Sequence, residues 1–118
     1  MGVVEITVAG GSIERRAKDC RNFLGSLPAQ LRASVDPIYA PVPPGAKADI
    51  GLIIGLVVAL GGPAVAKQLA LAVREWVQRS RHHEIVMTDG DRSLKLSGGA
   101  SAAENAAAIE LFFRDRRL

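Results

Sequence analysis

The sequence predicts a small α+β domain, and three observations carry that prediction. Val4, Ile6 and Val8 alternate with Glu5 and Thr7, the period of a half-buried strand. Ala66, Leu69, Ala70, Val73, Trp76 and Val77 recur at helical spacing, with Lys67, Arg74 and Glu75 falling elsewhere. A turn cluster, Asp89-Gly-Asp-Arg-Ser93, separates Ile85–Thr88 from Leu94–Leu96, the pattern of a β-hairpin. At 118 residues the chain has the size of one domain, 1–118, and the predicted order is β-α-β-α-α-β-β-α.

The first strand ends at Gly10-Gly11. Ser12 is placed to cap a helix whose apolar face carries Ile13, Ala17, Cys20, Leu24 and Leu27. Pro28 and the residues before it close that helix. A second strand is expected over Ala33–Ala40, where Pro37 points to an edge or a bulge. A stiff Pro-rich linker, 41–48, follows and includes Pro41, Pro43 and Pro44.

Ile50 to Ala66 is free of charge over its whole length and is read as part of an apolar helical hairpin, about 49–81, packed on a small sheet, with Ile50 to Leu60 as its first arm. Asp49 is placed to cap this arm. Gly61-Gly62-Pro63 breaks the run, with Pro63 suited to the first position of the next helix. Ile50 to Leu60 as a helix would be about 16 Å long, roughly half a bilayer core. The outer side of this segment is open to three readings: core, protein interface or membrane contact. In the hairpin, Ser93, Lys95 and Ser97 should face solvent and Leu94 and Leu96 the interior. Ser101-Ala-Ala-Glu104 forms a capping box for a last helix presenting Ala102, Ala106, Ile109 and Phe113 on one face.

Composition limits the function classes. Fifteen Lys and Arg against twelve Asp and Glu give +3, too small an excess to imply nucleic acid. The basic residues do gather near two helix ends, at Arg79, Arg81, Arg114, Arg116 and Arg117, a pattern suited to an acidic protein surface. A single cysteine, Cys20, can form no intrachain disulfide and fits a reducing, cytoplasmic setting. It lies on an apolar helix face, so it is read as a packed thiol. The N-terminus reads as a strand rather than a secretory leader.

His82-His83-Glu84 lacks a third ligand at metal-binding spacing and is read as polar residues closing a helix. Asp89-Gly-Asp91 lacks the remainder of a calcium loop. No Gly-rich loop ending in Lys-Ser/Thr is present, which removes a phosphate-binding NTPase. No nucleophile–base pair, paired carboxylates or metal set can be assembled. The expectation is therefore a protein that is not an enzyme and takes no cofactor.

The order of these features resembles the effector-associated constant component family of bacterial conflict systems. The resembling stretches are VEITVAGG, ERRAKDCRNFLGSL, APVPPGAKADIGLIIGLVVALG, LALAVREWVQRSR, TDGDRSLKLSG and the closing helix, which together span most of the chain. The resemblance implies a constant subunit beside variable effectors, such as caspase-like or trypsin-like peptidases and NTPases, with an adaptor role and no catalytic residues. The apolar run is longer and richer in Ile and Val than that pattern leads one to expect.

The functional expectation is a non-catalytic adaptor for bacterial defence that docks onto an effector and self-associates. The candidate partner-binding residues are Trp76, Arg79, Arg81, Leu52, Leu56, Arg114, Arg116 and Arg117. The alternative is a membrane-associated component that inserts its apolar hairpin on activation.

Overall fold

A computed structural model describes residues 2–40 and 52–114. The linker 41–48, the cap Asp49, Ile50, Gly51, Arg116 and Arg117 lie outside the described residues. The elements run β1 (Val3–Val8), α1 (Ile13–Ser26), α2 (Ala29–Arg32), β2 (Val35–Tyr39), β3 (Ile53–Ala59), α3 (Pro63–Gln78), β4 (Glu84–Asp89), β5 (Arg92–Ser97) and α4 (Ala102–Arg114).

The five strands form one sheet in the order β2-β3-β1-β4-β5, with every neighbouring pair antiparallel. Because β3 lies between β1 and β2, those two strands run parallel and α1 connects them across it. In the same way α3 connects β3 to β4 across β1. The first six large elements thus make two interlocked split β-α-β units, the ferredoxin-like arrangement, with β5 and α4 added beyond β4. The α+β class predicted from the sequence is the class observed.

The apolar run requires a correction. Ile53–Ala59 is a strand in the sheet interior, where the sequence reading placed the first arm of a helical hairpin. Its pairing with β1 and β2 shows why. Leu56 and Val58 stand beside Ile6 and Val4 on the helix-covered face and are fully buried. Ile53 and Val57 stand on the opposite face. Both faces of the strand are apolar, so the run shows no alternation even though its geometry alternates. Among the described residues no helix is long and apolar enough to cross a membrane.

Other local signals predict their elements well. Ser12 Oγ accepts the Arg15 N–H at 3.2 Å, capping α1. Pro63 opens α3, whose buried stripe is Ala66, Leu69, Val73, Trp76 and Val77. β2 is an edge strand with a register shift between Ile38 and Tyr39, as Pro37 suggested. In the β4–β5 hairpin Asp89 pairs with Arg92, and Gly90 supplies the positive φ of +64° at the first turn position. Leu96 is buried and Lys95 exposed, as expected.

The capping box at α4 forms: Ser101 Oγ accepts the Glu104 N–H at 3.1 Å and donates to Glu104 Oε1 at 3.0 Å. The buried stripe of α4 is rotated from the expected one. It consists of Asn105, Ile109 and Phe112, while Ala102 is exposed and Ala106 and Phe113 are half-buried. Asn105 is a polar residue that belongs inside because its Nδ2 donates to the Ser97 carbonyl at 2.8 Å.

One core fills the space between the sheet and the helices, with Phe23, Leu31, Leu60, Leu69, Trp76 and Met87 among its fully buried members. The close approach of the hairpin to α3 depends on Gly98. A Cβ there would sit 1.8 Å from the Ser80 carbonyl oxygen.

Candidate interaction surfaces

The helices cover one side of the sheet, and among the described residues no element covers the other. Its strand positions follow from the register: Glu5 lies between Val57 and Thr88, Thr7 between Gly55 and Val86, and Asp36 beside Val57. Val3 is 50% exposed and Tyr39 56% exposed, while Ile38, Ile53, Val57 and Val86 are half-buried. Gly55 sits at the centre of this face because a Cβ there would meet the Ile6 carbonyl oxygen and Thr7 Cγ2, each at 2.8 Å. The result is an apolar patch on a face of the antiparallel sheet that no described helix covers.

Charge on this face is mostly acidic. Glu5 and Asp36 flank Val57, and Glu84 pairs with Lys95 at 3.5 Å. Tyr39 is its one aromatic side chain among the described strand residues. A sheet that stacks single-stranded nucleic acid needs aromatic platforms and positive charge, and this face offers the opposite balance.

The sequence-derived candidates fall into three groups. Trp76 and Leu56 are 0% and 1% exposed, so both are core residues rather than partner anchors. For Trp76 the cause is a complete set of internal contacts. Its Nε1 donates to Asn22 Oδ1 at 2.7 Å, Phe23 meets it edge-on at 5.3 Å, and His83 stacks on it at 3.7 Å with planes 2° apart. His83 Nδ1 donates to the Trp76 carbonyl at 2.8 Å and so satisfies a carbonyl at the end of α3. This is the helix-closing role expected of the histidine pair, while His82 is exposed.

Arg79, Arg81 and Arg114 are exposed and Leu52 is half-buried, so these four are available at the surface. Arg114 is ion-paired with Glu110 one turn earlier in α4. Arg116 and Arg117 lie outside the described residues. Arg92, in the β4–β5 hairpin, is occupied internally. Its guanidinium donates to the Phe112 carbonyl at 2.9 Å and lies 5.0 Å from the Phe112 ring centroid, closing the last turn of α4.

Cys20 is fully buried on α1, and burial pushes its thiol up from 9.0 to about 11. A thiol in that state is a packing group and a poor nucleophile. Among the described residues no group of three or more His, Cys, Asp or Glu could hold a metal ion.

A second partly apolar surface lies between α3 and α4. Two adjoining depressions, about 250 and 330 Å³, share Lys67, Ala70, Ile109 and Glu110. Sequence reasoning missed this groove because it depends on how two helices pair. It also missed the open sheet face, since that required knowing that the apolar run is a strand.

Comparison of the chain with protein-family models, with curated proteins and with solved structures finds no match.

Proposed function

We propose that this chain is a non-catalytic adaptor, a constant subunit of a bacterial conflict or immunity system that docks onto an effector peptidase or NTPase and self-associates. The observation supporting the reading is the outer side of β3 and its neighbours, free of cover by any described element, where Val3, Tyr39, Ile53 and Val57 form an apolar patch. Burial of such a patch contributes about 25 cal/mol for each Å² removed from water, which makes association its natural use. The flanking Glu5 and Asp36 favour a partner surface that is apolar at its centre and basic at its rim.

The membrane alternative is disfavoured by the position of β3. Inserting the run would separate it from both β1 and β2, break its backbone hydrogen bonds to them and uncover the core residues left behind, such as Val4 and Ile6, at about 2 kcal/mol for each side chain returned to water.

Co-purification with a candidate effector peptidase or NTPase tests the adaptor reading, with Val57→Lys as the comparison. The wild-type chain should retain the effector and the variant should lose it. Light scattering on the isolated chain tests self-association. A strict monomer that retains no effector contradicts the proposal.

A further inference from the structure

The groove between α3 and α4 is separate from the sheet face and has a different character. Going from Pro63 to Arg74 along α3, the facing residues of α4 run from Arg114 back to Ala106, so the two helices are antiparallel. The trough spans the stretch from Pro63 to Arg74, about 16 Å at 1.5 Å per residue. Its apolar lining includes Ala70, Ile109 and Phe113, and Leu71 on one wall is 42% exposed.

The charges at its rim are unequal. Lys67 and Arg74 stand two turns apart on α3, both exposed, and neither has an ion-pair partner among the described residues. On the α4 side Glu110 and Arg114 neutralise each other. We propose that this groove receives an amphipathic helix of a partner protein, with apolar residues seated over Ile109 and Leu71 and acidic residues facing Lys67 and Arg74. The inference rests on the adaptor reading and assigns the partner a second point of attachment.

Charge complementarity selects this occupant. In a second copy the exposed side of α1 brings like charge at Arg15, Lys18 and Arg21, and the acidic Glu5 and Asp36 stand on a broad sheet face that a narrow trough between two helices does not admit. An acyl chain lying in an open trough would leave one side in water and forgo the burial that drives its binding.

The test uses the isotope-labelled protein and a capped helical peptide of about 14 residues, long enough to span the groove. The peptide has leucines at i, i+3, i+4 and i+7 with flanking glutamates, and its counterpart has lysine at every glutamate. The glutamate peptide should shift the amides of Ala70, Leu71, Ile109 and Phe113 saturably, and the lysine peptide should not. Lys67→Glu combined with Arg74→Glu changes two exposed side chains and should reverse the preference, weakening the glutamate peptide about tenfold.

Equal shifts with both peptides, no shifts, or shifts confined to the sheet would overturn the proposal. So would decanoate producing the groove shifts in place of the peptide, or a dimer that the double variant dissociates. Loss of the groove result leaves effector docking through the sheet intact. Failure of effector co-purification leaves a positive peptide result standing.

Discussion

Leu56 and Val57 are consecutive residues whose substitution should have opposite consequences. Leu56 is 1% exposed and belongs to the core beside Ile6. Truncation to alanine removes buried methyl groups and leaves a cavity, at about 3 kcal/mol. Unfolding entropy scales with length at about 2.1 cal/mol/K per residue, or roughly 0.25 kcal/mol/K for 118 residues. Leu56→Ala should therefore lower Tm by about 12 °C. Val57 is half-buried on the open face with Glu5 on one neighbouring strand and Asp36 on the other. A lysine there gains opposite-charge cross-strand neighbours, each contributing roughly 0.2–1 kcal/mol, which offsets the lost apolar contact. Val57→Lys should stay within about 1 kcal/mol of wild type, a Tm change of about 4 °C or less. Thermal unfolding followed by circular dichroism reads both. A Val57→Lys loss as large as that of Leu56→Ala would mean the outer face is covered, and the reasoning would fail.

Three further outcomes follow from particular contacts. Asn22→Ala removes the acceptor of Trp76 Nε1–H and should cost about 1 kcal/mol in a urea titration. Gly98→Ala drives a Cβ toward the Ser80 carbonyl and should cost more than about 2 kcal/mol, whereas Gly25→Ala, in the last turn of α1 with nothing within 4 Å of the added carbon, should stabilise by about 0.5 kcal/mol. The Cys20 thiol is raised from 9.0 to about 11 in the fold, so its contribution is fully present below pH 9 and disappears as pH rises through 11. Denaturation between those pH values should show a loss of stability that Cys20→Ala reduces, and the native thiol should resist Ellman's reagent at pH 8 until the chain is unfolded.

Elements with local signals were legible in the sequence. Ser12, Pro63, the Asp89–Ser93 turn and the Ser101–Glu104 box each act within a few residues, and each does in the structure what its chemistry predicts. The apolar run was not legible by periodicity, because an apolar core face and an apolar open face together erase alternation. A usable signal was present in its β-branched pairs, Ile53-Ile54 and Val57-Val58, within a strand of only seven residues. Trp76 has the composition of an interface anchor, and its contacts with Asn22 and Phe23, distant in sequence, reveal it as core. Arg92 likewise reads as surface charge until its bond to the Phe112 carbonyl is seen. The candidate site was therefore legible as a segment and not as a face.

The adaptor account turns on whether the outer side of the sheet meets the effector. Methyl-labelled protein titrated with a candidate effector peptidase or NTPase tests this directly. The account predicts large shifts at Val3, Ile38, Ile53, Val57 and Val86, little change at the buried Leu56 and Val58, and loss of the effect in Val57→Lys. Effector binding that leaves those five methyl-bearing residues unmoved would contradict it.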